Sequence, residues 1–419
     1  MSDIKNIFRR LLETKVLENY TFMTALSIIS ALISIVIYPF VIRVTGKDAY
    51  GTYVYAFTIA SFFQVILDFG FDSPCTKAIV QARHDLVECG RIISTVLLLK
   101  SIFIVGSGVI FIICLHVVPF MHNNETLCII TFIQLMNMSL FPIWYFQGLK
   151  KMKLVTYINL STRFATIPLI LWLVRSPQNI NLYALIIMAS IVIGTLIAYI
   201  CLFADGIRFQ SVSVGHMRML FHDATPFFAT SIAGSLKSLS VKAIIKSFFG
   251  VGEVAIYDLA EKIITIPRFF TQNINNALFP EVIANASPAR VQRILKYERI
   301  IGFGFTTIIA LLSYPAVLIL GGQEMLNAVP VSIILSFSIY TWLVVGAYLN
   351  FIFIPANRYY LITMNQVIAL ISCVSLSCLG LLFWKNINMV VLGLSISGFI
   401  ELLFCRYIVK RCGLNNFLS

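Results

Sequence analysis

Apolar runs of about 20 residues recur along the whole chain with short polar connections between them, each long enough to cross a ~30 Å hydrocarbon layer as a helix rising 1.5 Å per residue. They centre near residues 31, 61, 103, 136, 165, 192, 237, 266, 308, 339, 370 and 400, and so predict about twelve transmembrane helices with both termini on one side. Every connection on the opposite side is short, HVVPFMHNNE and LGGQEMLN being examples, which leaves no extramembrane domain to house chemistry. The pattern predicts an all-α polytopic membrane protein. One run, Pro226 to Phe249, is interrupted by Lys237, Lys242 and Lys246 and contains no acid.

Composition agrees: 59% of the 419 residues are hydrophobic and only 12% charged, outside the range of soluble domains. The charge sets the orientation, because cytoplasmic loops hold the excess of Lys and Arg. With the N-terminus inside, twenty of the 31 basic residues are cytoplasmic, four (Arg43, Lys47, Arg175, Lys385) are external, and seven (Lys100, Arg163, Lys237, Lys242, Lys246, Lys262, Arg268) fall within spans. The net charge of +13 is thus dispersed among loops and predicts no nucleic-acid partner. Residues 1–18 lack the apolar core of a cleavable signal. Ile4, Ile7, Phe8, Leu11 and Leu12 recur opposite Lys5, Arg9 and Arg10, which predicts an interfacial helix on the cytoplasmic leaflet.

The nine cysteines show no metal spacing, the five histidines sit in or beside loops, and no nucleotide-binding, metalloprotease or nucleophile-elbow motif occurs. The sequence offers no catalytic residues, no metal site and no cofactor.

It does contain an internal repeat. An offset of 204 residues aligns TGKDAYGTYVYAF with FGVGEVAIYDLAE, pairing Gly46 with Gly250, Tyr53 with Tyr257 and Ala56 with Ala260. Polar stripes follow at matching positions: Ser61, Gln64, Asp68 and Asp72 in span two, Thr265, Arg268, Gln272 and Asn276 in span eight. In the preceding spans Ser27, Ala31, Ser34 and Tyr38 align with Ser231, Ser235, Ser238 and Lys242. The organisation read from this is two six-helix halves in the same orientation, 19–210 and 211–419.

At 100° per residue, Ser231, Ser235, Ser238, Lys242 and Lys246 fall within about 80° of one another, whereas Lys237 points roughly 120° away and is expected to act through packing. A polar stripe in a membrane helix must face other helices or a wet cavity, since a charge at the bilayer centre costs ~3 kcal/mol on the mildest scale. Lys242 and Arg268 are therefore expected to line a cavity, and Lys246 either lines it too or snorkels to the external interface. In span eight Asp258 and Lys262 are spaced to pair, and Glu261 shares a face with Arg268; such charges either serve transport or form a structural ion-pair ladder. With Arg163 and Lys100, the membrane interior holds more bases than acids, which suits an anionic substrate.

The twelve-span, two-half plan, the AYGTYVYAF and GVGEVAIYDLAEKIITIP segments, the NALFPEV motif (Asn276 to Val282) and the FQGLKKMK loop resemble the polysaccharide-transporter branch of the multidrug/oligosaccharidyl-lipid/polysaccharide flippase superfamily, and within it Wzx-type O-antigen flippases. The resemblance implies two six-helix lobes in a V around a cationic cavity. It further implies movement of an undecaprenyl-pyrophosphate-linked oligosaccharide from the cytoplasmic to the periplasmic leaflet of a bacterial inner membrane, for lipopolysaccharide or other polysaccharide biosynthesis. On that reading Lys242, Arg268, Arg163, Lys262 and Lys237 are candidate substrate contacts, and Glu261, Asp68 and Asp258 candidates for coupling to H+ or Na+. Ser231, Ser235, Ser238, Thr265, Gln272, Asn276 and Gln64 supply the polar path. The implied partners are the lipid-linked glycan, membrane lipid, a coupling ion and the polysaccharide polymerase machinery. Lipid II flippases of the superfamily typically have fourteen spans, a pair more than are seen here. The alternatives are a small-molecule antiporter of the same superfamily, whose cavity for organic cations should be acid-rich, and a membrane glycosyltransferase or O-antigen polymerase, which usually carries a long external loop.

Overall fold

A computed structural model describes residues 15–284, 288–356 and 358–413. The expected interfacial helix over residues 1–18 lies almost wholly outside the described residues. Among the described residues there is no strand, and fourteen α-helices account for nearly all of the chain. They are α1 Lys15–Asp68, α2 Asp72–Ala82, α3 Leu86–Val117, α4 Pro119–Asn123, α5 Glu125–Leu140, α6 Ile143–Gly148, α7 Met152–Leu173, α8 Ile180–Ala204, α9 Val214–Phe249, α10 Val251–Ala284, α11 Pro288–Gly321, α12 Ala328–Tyr348, α13 Tyr359–Phe383 and α14 Ile387–Arg411.

Nine helical segments among the described residues are long and apolar enough to span a membrane; Ile37–Asp68, which contains the second limb of α1, is one of them. Adding the first limb of α1 and the charged helices α9 and α10 gives the twelve crossings read from the sequence. The basic stretch Arg290 to Arg299 does not form a loop. It is the first three turns of α11, its cations Arg293, Lys296 and Arg299 all exposed.

Two breaks carry the repeat into the backbone. Gly46 interrupts α1 at φ 77° and Gly250 separates α9 from α10 at φ 92°. Only glycine reaches that left-handed region without steric cost, and these two positions are the pair aligned by the offset of 204 residues. Elsewhere local chemistry ends the helices, as where the Asp85 carboxylate caps α3 by accepting from the Val87 and Glu88 amides at 2.9 and 3.0 Å.

The chain forms two compact units, one of Met1–Ile37 with Ala56–Ser231, the other of Tyr38–Tyr55 with Ile232–Ser419. In the first, Phe69 stacks on Phe221 and Phe228 with ring centroids 4.5 and 4.3 Å apart. α8 is tied to α5 through Thr195 and Tyr199, whose hydroxyls donate to the Asn137 and Leu140 carbonyls at 3.2 and 2.9 Å. In the second unit the helices approach closely through small residues, as membrane helices must without a hydrophobic drive between them. A Cβ on Gly393 of α14 would stand 2.6 Å from the Ser377 amide nitrogen of α13, and Gly302 of α11 faces the Tyr340 backbone of α12. α12 ends in a π-helical turn, Leu349–Phe353, whose Phe351, Ile352 and Phe353 are fully buried. The outward faces are apolar: Leu382 and Phe383 are 81% and 80% exposed, a surface that only lipid covers favourably.

Candidate functional site

The lysines of α9 and the charges of α10 converge within the second unit, because the two helices are joined at Gly250 and run back along each other. Lys242 stands 2.8 Å from Glu261 Oε2 and 3.6 Å from Asp258 Oδ1. Asp258 is completed on its other oxygen by Lys262 at 2.6 Å and by the Tyr50 hydroxyl, which donates at 3.0 Å while accepting from the Lys262 ammonium. Lys262 also lies over the Tyr38 and Tyr50 rings, 4.2 and 4.9 Å from their centroids, so the cation is held by aromatic faces as well as by a carboxylate. The i,i+4 spacing read from sequence brings Asp258 and Lys262 together; Tyr38 and Tyr50, some 200 residues earlier, give no sequence signal for joining them.

Beside this network a cavity of ≈ 240 Å³ opens among α9, α10, α12, α13 and α14. α10 presents Tyr257, Glu261, Ile264 and Arg268 to it, one face at helical spacing. Arg268 donates to the Ser338 hydroxyl at 2.6 Å and lies over the Trp342 ring at 4.8 Å. The face that α9 turns to the cavity carries Gly234, Lys237 and Ser238. Lys242 is not part of this wall, and neither are Ser231 and Ser235. Lys237 forms an ion pair with Glu401 of α14, whose second oxygen accepts from the Asn365 amide at 3.3 Å.

The wall therefore carries two cations, Lys237 and Arg268, and two carboxylates, Glu261 and Glu401. This differs from the base-rich interior expected from the sequence. The reason is Glu401, which lies 164 residues from Lys237 and escapes any repeat based on spans seven and eight. Trp342, Gln366 and Glu401 were all missed by sequence reasoning. A carboxylate in the middle of the last apolar run is the signal by which Glu401 could have been found, since an ionisable residue inside a membrane span marks a functional or paired site.

The remaining candidates are placed elsewhere. Lys246 lies over the Tyr55 ring at 5.5 Å. Thr265 donates to the Glu261 carbonyl of its own helix. In the first unit Lys100, 3% exposed, donates to the Ser139 carbonyl and stands 3.8 Å from Asp68, which also accepts from the Ser139 hydroxyl. Gln64 is half-buried on α1. Arg163 occupies the middle of α7 with Asn159, Thr162 and Thr166 on adjoining turns, and forms no ion pair among the described residues. The side chains of Gln272 and Asn276 lie outside the described ones.

A family model described as polysaccharide biosynthesis protein matches residues 16–286, more than half of the chain. The chain belongs to this family. The match runs from α1 through α10 and so includes Lys242, Asp258, Glu261, Lys262 and Arg268 but not the cavity residues of α12 to α14. Among relatives, an Escherichia coli (strain K12) protein described as an O-antigen transporter is 24% identical over 313 residues, 73% of this chain and 75% of that protein. The fold is shared with the lipid II flippase MurJ in an inward closed conformation, at TM-score 0.66 and 14% identity over 93% of this chain and 87% of that one. It is shared equally with an inward-facing MATE multidrug transporter of the MOP superfamily, at TM-score 0.66 and 13% identity over 93% and 98% of the two chains. Family and fold together describe a polytopic polysaccharide biosynthesis protein built on the fold that these transporters share.

Proposed function

We propose that this chain is a transporter, a flippase that moves lipid-linked polysaccharide units across a bacterial inner membrane, with undecaprenyl pyrophosphate as the lipid carrier. Membership of the polysaccharide biosynthesis family, a relative described as an O-antigen transporter, and the fold of a lipid II flippase support the reading. The observation that carries it is the cluster of cations, Lys237, Lys242, Lys262 and Arg268, in the second unit. A pyrophosphate-linked glycan must bring negative charge and hydrated hydroxyls through an apolar layer, which is prohibitive unless fixed cations and polar groups replace water. Lys242 lies behind the wall, held by Glu261 and Asp258, so on this proposal a phosphate in the cavity displaces the Glu261 carboxylate from it, while the bidentate fork of Arg268, on the same face of α10 as Glu261, meets the phosphate in the wall. Ser338, Thr341 and Gln366 supply hydroxyl and amide contacts for sugar, and Trp342 an aromatic face.

On this proposal the halves 19–210 and 211–419 alternate access with both termini in the cytoplasm, and Glu261, freed when phosphate takes Lys242, is the coupling carboxylate for H+ or Na+. Asp258 is saturated by Lys262, Lys242 and Tyr50 and holds the network in place. In the first unit, Arg163 is proposed as a further substrate contact and Asp68, paired with Lys100, as a further coupling carboxylate. The polymerase machinery that receives the flipped unit is the proposed partner. A MATE-like antiporter of organic cations shares the fold, but its cavity should be acid-rich, whereas here the two wall carboxylates are matched by two cations. Deleting the gene and identifying the lipid-linked oligosaccharide that accumulates on the cytoplasmic leaflet tests the function. A normal surface polysaccharide and no accumulated intermediate refute it.

A further inference from the structure

α11 carries a group that neither the cavity nor the ion-pair network uses. Glu298 is 1% exposed, and among the described residues neither of its carboxyl oxygens has a hydrogen-bond partner or a cation within ion-pair distance. It lies on the buried stripe of the helix with Val291, Ile294, Leu295, Gly302 and Thr306, while Arg293, Lys296 and Arg299 on either side of it face out. The stripe packs against α12 in a register fixed at two points: Gly302 faces the Tyr340 backbone, and the Thr306 hydroxyl donates to the Ser336 carbonyl at 3.1 Å. One antiparallel turn further, Glu298 falls opposite the turn of α12 that carries Val344 and leads through Tyr348 into the π-helical segment Leu349–Phe353.

Ionising a carboxyl in such a place costs several kcal/mol of lost hydration with nothing to return it, and a buried acid without a partner takes up a proton instead. The neighbouring elements offer no substitute charge. Among the described side chains, the titratable groups on α12 are Tyr340 and Tyr348; on α10 they are Glu253, Tyr257, Asp258, Glu261, Lys262 and Arg268; beyond α11 there is Glu324, and on α11 itself Arg290, the three outward cations, Tyr297 and Tyr314. None of them bonds Glu298.

We infer that Glu298 is a proton-binding site, occupied in this conformation and emptied when α11 and the π-helical end of α12 separate enough to admit water. The mechanical link is α12 itself. One face of it packs on α11 at Gly302 and Thr306, and another lines the cavity with Ser338, Thr341, Trp342 and Val345. Short π-helical turns recur at functional sites within helices, and this one lies where the proton-sensitive packing ends.

The test uses the purified full chain without substrate, so it stands apart from the transport reading. In the infrared spectrum at neutral pH, wild type should show the carbonyl stretch of a protonated carboxylic acid that Glu298→Gln lacks; identical carboxylic bands in the two proteins overturn the proposal. Gln keeps the shape of the neutral acid, so the variant should fold. Hydrogen exchange of residues 344–353, corrected for intrinsic rates, should then lose protection as pH rises in wild type and stay flat in Glu298→Gln. The same pH dependence in both proteins overturns the coupling to α12.

Discussion

The Lys237 to Glu401 pair sets packing against substrate contact, and two single variants with their double decide between them. The ammonium and the carboxylate are both mostly buried, at 18% and 9% side-chain exposure, and the carboxylate has one further donor in Asn365. Removing one member of a buried pair leaves the other charged and unmatched, at a cost of about 3 to 5 kcal/mol, while replacing both by apolar residues of similar volume is often neutral or stabilising. Lys237 faces a cavity that admits water, which puts the expected loss near the lower bound, about 3 kcal/mol, or roughly a hundredfold in the folding equilibrium. Lys237→Met and Glu401→Leu alone should therefore both give little monodisperse protein and a depressed melting temperature in detergent. Lys237→Met with Glu401→Leu should return to within about 1 kcal/mol of wild type, as read by a double-mutant cycle on the four melting curves. If the single variants melt with wild type yet abolish surface polysaccharide, the pair belongs to the substrate path and the stability argument fails.

Three further outcomes follow from the same geometry. Lys242→Ala should abolish transport and also lower protein amount, because Glu261 loses its cation; adding Glu261→Gln should restore the amount but not transport, and full transport by a Lys242→Ala, Arg268→Ala variant would place the anion path elsewhere. Glu261→Gln alone should fold normally and flatten the pH profile of transport measured in vesicles, an unchanged profile returning Glu261 to a structural role. Reporter fusions should place residues 73–91, 147–155 and the C-terminus in the cytoplasm and residues 116–125 and 321–327 outside, and an external C-terminus would contradict the even number of crossings.

What was legible in the sequence was what depends on local spacing. The apolar runs marked the helices because the hydrocarbon thickness fixes their length. The 204-residue offset marked Gly46 and Gly250, whose backbone angles need glycine, and the i,i+4 step marked Asp258 with Lys262. The cavity was only half legible, because its far wall comes from α12 to α14, where lone polar residues in apolar runs carry no periodicity. Lys237 shows the limit most clearly. Helical geometry set it apart from the stripe of Ser231, Ser235, Ser238, Lys242 and Lys246, yet Ser238 lines the cavity beside it, because which face met the cavity depended on Glu401 and on the packing of three later helices. Glu298 was hidden differently, as one acid among Arg293, Lys296 and Arg299, residues that count only toward the cytoplasmic charge.

The grouping of Tyr38–Tyr55 with the C-terminal helices has a consequence for biogenesis. Tyr50 and Asp258 are separated by 208 residues, so at a synthesis rate of 5–20 residues per second about 10 to 40 s pass between the emergence of the hydroxyl and that of its carboxylate. During that interval the early segment is inserted without the network that holds it, and Lys262 has yet to be made. The nascent chain must keep this part of α1 unassembled while the intervening helices enter the bilayer, which makes Tyr38–Tyr55 the stretch where a membrane insertase or quality-control protease has the longest opportunity to act.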